Sequence, residues 1–154
     1  MNYRVYYPDD FPQLYAIEEI CFQPPLRFSR RYLRRIAESA GSVTWIAEQE
    51  GQIAGFSIAD FVSDAGTLAA YIETIEILPQ LRGLGTGTEL LRRIEESARD
   101  RGARAIWLHV ESQNAGAIRL YESHGYQCEG RKEHYYAHGR AGLVYRKLLE
   151  TPEP

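Results

Sequence analysis

Two hydrophobic rhythms alternate along the chain: a period of two that marks strands and a period near 3.6 that marks helices. Tyr3 to Tyr7 reads as a first strand closed by Pro8-Asp9-Asp10, and Leu14, Ile17, Ile20 and Cys21 then recur at helical spacing. Phe22-Gln23-Pro24-Pro25-Leu26 breaks that helix, because proline lacks the backbone donor and crowds the preceding turn. Ser29 predicts the cap of a second helix. Its apolar face is Tyr32, Leu33, Ile36 and Ala37, with Arg30, Arg31, Arg34 and Arg35 on a solvated side. Two β-rich runs, Val43 to Ala47 and Ile53 to Val62, flank a turn at Glu48–Gln52 with its glycine at 51. A third run, Thr67 to Leu78, follows Ser63-Asp64-Ala65-Gly66 and completes an antiparallel meander.

Beyond a glycine-rich run, Leu90, Leu91, Ile94 and Ala98 share one helical face that stops at Arg101-Gly102. Ala105 to Val110 predicts the next strand. The connection from Thr67–Leu78 is long enough to make these two strands parallel. Asn114 caps a helix carrying Ala117, Ile118, Leu120 and Tyr121 and ending at Gly125, and strands near Tyr126 to Glu133 and Leu143 to Leu149 follow. The order βααβββαβαββ predicts an α/β fold of the α+β, mixed-sheet kind, one domain over residues 1–150 with a frayed tail at 151–154.

Charge changes the picture by exclusion. Lys and Arg number 18 against 21 Asp and Glu, and with no basic block a nucleic-acid partner is not expected. No apolar run approaches the length of a membrane span, so a cytoplasmic protein, monomer or homodimer, is expected. Cys21 and Cys128 read as reduced, buried thiols. Cys128, His134 and His138 lack the cysteine pair of a zinc site, so no metal is expected.

The candidate chemistry lies in Gln80-Leu81-Arg82-Gly83-Leu84-Gly85-Thr86-Gly87-Thr88, three alternating glycines between a strand and a helix. Glycine permits positive φ, so successive amides can converge on an anion at the positive end of the following helix. A P-loop would need Gly-Lys-Ser/Thr, and a dinucleotide fingerprint a third small residue; neither is present, while a plain glycine-rich turn stays open. The pattern Arg82-x-x-Gly85-x-Gly87 resembles the pyrophosphate loop of the GCN5-related N-acetyltransferase (GNAT) family. A second stretch, Asn114-x-x-Ala117-Ile118-x-x-Tyr121-x-x-x-Gly125-Tyr126, is similar to that family's second cofactor motif.

The resemblance implies a GNAT fold with splayed parallel central strands and an enzyme using acetyl-coenzyme A. Ile75, Ile77 and Leu78 at the strand end, the loop residues Arg82, Gly83, Leu84, Gly85, Thr86, Gly87 and Thr88, and Asn114, Ala117 and Tyr121 would bind the coenzyme. Tyr121 would protonate the leaving thiolate, although its spacing equally suits a core aromatic. In RimI-like and Naa50-type N-alpha-acetyltransferases the position of His109 holds the base, and Tyr71 resembles a catalytic tyrosine of the latter. Alternation puts Tyr71 and Glu73 on the face of Ile75 and Ile77, which makes Glu73 the competing base, and leaves Glu76 on the other face as a solvent-facing charge. Tyr135 and Tyr136, facing Phe22, Pro24, Pro25 and Leu26, would hold an amine acceptor. A protein N-terminus is preferred over a small amine or a lysine, and a noncatalytic coenzyme sensor is the rival of another class.

Overall fold

The computed structural model describes residues 1–136 and 139–150. His138 and the tail at 151–154 lie outside them. The strands are β1 (Asn2–Val5), β2 (Ser42–Gln49), β3 (Gln52–Asp64), β4 (Thr67–Ile77), β5 (Ala105–Glu111), β6 (Gln127–Tyr136) and β7 (Arg140–Leu148). The helices are α1 (Phe11–Cys21), α2 (Arg30–Glu38), α3 (Thr86–Asp100) and α4 (Ala115–Ser123), so the order βααβββαβαββ holds. Short 3-10 turns at Pro8–Asp10 and Pro79–Leu81 are additional. The strands form a mixed sheet of order β1-β2-β3-β4-β5-β7-β6, in which β4 and β5 are the parallel pair.

Local sequence explains the joints. The β2–β3 turn places Glu50 and Gly51 at φ 53° and 77°, the positive-φ pair whose twist matches a tight hairpin. The Ser29 hydroxyl accepts from Tyr32 N and starts α2, and Asn114 Oδ1 accepts from Ala117 N and starts α4. Two cores flank the sheet. Leu14, Ile17, Leu33 and Ile36 of α1 and α2 pack on Ile46, Phe56 and Ile58, while Leu91, Ile94 and Ala98 of α3 pack on Ala59, Ala70, Ile72, Ile106 and Leu108.

The β4–β5 ladder is short. Its pairs are Ala70↔Ile106, Tyr71↔Trp107 and Ile72↔Leu108, after which the strands part. The cause is local to β4: Ile58 pairs with Thr74 but Ala59 with Ile72, so Glu73 is an extra, bulged residue. A bulge bends its strand, and this one sits where β4 leaves β5. The splay implied by the family resemblance is therefore present.

Four readings need correction. The bulge resets alternation, so Tyr71 and Glu73 face the α1/α2 side while Ile75 packs with the α3 core on the other face. Glu76 is 2% exposed rather than solvent-facing, because after the bulge it turns toward α1 and the fully buried Glu18. Ile20 is 54% exposed and lies off the apolar face of α1. Cys128 is exposed on the edge strand β6, and only Cys21 is partly buried.

Candidate active site

Two cavities open at the splay and meet at Tyr121, which lines both. The larger, about 710 Å³, runs from the splay to the glycine loop and is walled by Ile75, Ile77, Asn114 and Ala117. Gly83 and Gly85 take φ 81° and 84°, conformations that a β-carbon would strain. Gly85 occupies the cap position of α3 with no side-chain cap, so the first amides of the helix, at Thr86, Gly87 and Thr88, remain for a ligand. These three residues line the groove, with Arg82, Gly83 and Gly85. The Arg82 Nε donates to the Ile77 carbonyl at 3.0 Å and holds the loop against the end of β4.

Leu78 and Leu84, read as coenzyme-binding, do not line this groove. Leu78 packs on the α1/α2 core, and Leu84 points out at 68% exposure. Arg119 and Glu111 line it and were missed by sequence reasoning. A phosphate site's need for nearby cations was the one signal available for Arg119, and it did not single out this residue.

The smaller cavity, about 230 Å³, brings together His109, Tyr71, Glu73, Tyr135, Tyr136 and Phe22. Of the wall expected between α1 and α2, Phe22 and Leu26 line it, while Pro24 and Pro25 are exposed and outside its lining. Glu18, Tyr32 and Glu111 also face it, and among the described residues no Lys or Arg lines it.

His109 is held on three sides. Tyr71 Oη lies 2.9 Å from its Nδ1, the Trp107 ring meets it edge-on at 5.5 Å, and the Tyr135 ring stacks flat on it at 4.4 Å and 13°. Burial, reinforced by Lys132, pushes the imidazole below its ordinary value and keeps it neutral near pH 7. Burial raises both Tyr71 and Tyr121, so each is a neutral phenol able to donate. Glu73 is pushed up to about 8, first by burial and then by the neighbouring Asp60 carboxyl, while the Tyr32 hydroxyl donates to its Oε2 at 2.9 Å.

Glu76 is held well above the carboxylate range by burial and by Glu18, so this buried pair keeps a proton. The Thr74 hydroxyl donates to Glu76 Oε2, and the Phe28 amide to Glu18 Oε2. Among the described residues no group of three or more His, Cys, Asp or Glu is arranged to hold a metal ion. No helix among them is long and apolar enough to cross a membrane.

Residues 11–126 match the model of the Acetyltransferase (GNAT) family, and the chain belongs to that family. It is similar to the streptothricin acetyltransferase of Streptomyces lavendulae, 39% identical over 58% of this chain and 47% of that one. It is also similar to the [ribosomal protein bS18]-alanine N-acetyltransferase of Haemophilus influenzae, 30% identical over 82% of both chains. The chain thus spans about half the length of the first relative and most of the second. The structure of Arabidopsis thaliana NAA60 in complex with acetyl-CoA shares the fold, with a TM-score of 0.85 at 20% identity over 96% of this chain and 98% of that one.

Proposed function

We propose that the protein transfers the acetyl group of acetyl-coenzyme A to the α-amine of a peptide or protein N-terminus. The observation that carries this reading is the contact of His109 Nδ1 with Tyr71 Oη, 2.9 Å long, in a cavity that joins the long groove at Tyr121. The groove fits the coenzyme: uncapped amides and positive-φ glycines suit a pyrophosphate, and the unpaired edge of β4 suits a pantetheine arm.

In the tautomer that donates Nδ1–H to Tyr71, His109 Nε2 keeps the lone pair that takes the amine's proton. The amine nitrogen bonds to the thioester carbon, the carbon–sulfur bond breaks, and Tyr121 supplies a proton to the leaving sulfur. Freeing a peptide α-amine at neutral pH costs on the order of 1 kcal/mol, against roughly 4 to 5 for a lysine. A neutral imidazole suffices for the first. Glu73, with a value of about 8, is ionised in only roughly a tenth of molecules at pH 7, and one of its oxygens already accepts from Tyr32, so His109 is the better base.

A small basic amine is the second reading. The acceptor cavity is lined by Glu18, Glu73 and Glu111 with no Lys or Arg among the described residues, and the relative named for streptothricin bears a small-molecule name. The pH dependence of kcat with a short free-N-terminal peptide separates the bases. We expect an acidic limb below about 6.5, abolished by His109→Ala and kept by Glu73→Gln. A limb near 8 that disappears in Glu73→Gln would reassign the base. Absence of thiol release with every amine would leave a coenzyme sensor.

A further inference from the structure

Tyr135 is a surface tyrosine on an edge strand, yet the backbone beside it departs from regular sheet in two ways and a glycine lies beneath it. The β6–β7 register runs through Lys132↔Gly142 and then shifts to Tyr136↔Arg140. Between these pairs His134 adopts φ 56°, a left-handed conformation that non-glycine residues seldom take. Gly142 lies directly under the root of the Tyr135 side chain. A β-carbon there would stand 2.8 Å from Tyr135 Cδ1, 3.0 Å from Cγ and 3.1 Å from Cβ. These are the atoms by which the ring is attached, so relief requires the whole ring to move.

Core packing does not account for this arrangement, since Tyr135 is 41% exposed and most of β6 is exposed with it. What the bulge, the left-handed residue and the missing side chain achieve together is the flat stack of Tyr135 on His109. We propose that Gly142 is a positioning residue for His109: its lack of a side chain lets the Tyr135 ring cover the imidazole and keep water from it. The proposal rests on reading His109 as the base. Tyr135 then serves the base as well as the acceptor, and Gly142 acts without touching either reactant.

The groups facing His109 are Tyr71 and Glu73 from β4, Glu111 from β5, Lys132, Tyr135 and Tyr136 from β6, Tyr121 from α4, and Glu18 and Tyr32 across the cavity. Burial is the main cause of the depressed imidazole value, so uncovering the ring moves that value up toward the ordinary 6.5. The test is an NMR titration of the His109 imidazole, beside the pH profile of kcat, in Gly142→Ala, Tyr135→Ala and Tyr135→Phe. Tyr135→Ala removes the ring without disturbing β7, so the test survives a Gly142→Ala chain that does not fold.

We expect Gly142→Ala and Tyr135→Ala to raise the His109 titration and carry the acidic limb with it. A displacement of about one pH unit lowers the rate on the limb about tenfold. Tyr135→Phe keeps the ring and therefore the wild-type titration. Unchanged His109 titrations in Gly142→Ala and Tyr135→Ala would overturn the proposal. An acidic limb that persists in His109→Ala would instead remove the base reading beneath it, whatever the imidazole titration shows.

Discussion

Tyr121 stands where the two cavities join, 5% exposed, with the Tyr126 ring edge-on at 5.6 Å. A phenol so buried stays protonated, which is the form that can pass a proton to a departing sulfur. Tyr121→Phe keeps the ring and its packing and removes only the hydroxyl. It should lower kcat by about 10² to 10⁴ with acetyl-coenzyme A affinity unchanged, read by thiol release and calorimetry. Wild-type turnover in that variant, with chemistry limiting, would assign Tyr121 to the core alone. Spacing showed Tyr121 on the apolar side of its helix; that this side also opens on two cavities follows from the splay, which no local pattern encodes.

At the scale of elements, the rhythm of apolar residues was enough to order the helices and strands, because most of them have one face against a core. It failed at β4. Alternation assumes a regular ladder, and one extra residue at Glu73 turns the rest of the strand over, so Glu76 meets Glu18 of α1 instead of water. Of the four residues expected as a wall between α1 and α2, Phe22 and Leu26 turn inward and line the smaller cavity, while Pro24 and Pro25 mark the break and stay exposed. The strand β6 runs on to Tyr136 where Glu133 was expected as its end, because pairing with β7 resumes beyond a register shift.

The buried Glu18–Glu76 pair gives the α1–β4 contact a pH dependence. Native Glu76 holds its proton well above the ordinary carboxylate value, so at neutral pH the folded chain binds more protons than the unfolded one. This contribution to stability is full below about pH 4.3 and is lost as pH rises through the native value. Glu76→Gln removes the titration while keeping the shape. Its melting temperature should exceed that of wild type at pH 9, and the gap should close toward pH 5. Equal melting curves for the two proteins at pH 9 would mean that the pair carries no such strain.

Across the whole molecule, one bulge joins fold to function. It parts β4 from β5, and the parted strands give a groove ending at bare helix amides on one side and the cavity of His109 and Tyr71 on the other. The glycine loop and the Asn114–Tyr126 stretch made the first side legible in sequence, since coenzyme binding by main chain demands glycines at fixed places. The acceptor side was legible only through resemblance, because its residues come from α1, α2, β4, β5 and β6 and meet only in three dimensions. We propose that an α-amine is acetylated in this cavity. The most direct measurement offers one peptide carrying both a free N-terminus and an internal lysine, with acetyl-coenzyme A, and locates the acetyl group by fragment mass spectrometry. We expect acetyl on the N-terminal nitrogen and an inert peptide when that nitrogen is blocked; acetyl on the lysine, or a free polyamine consumed far faster than the peptide, would rule out an α-amine acceptor.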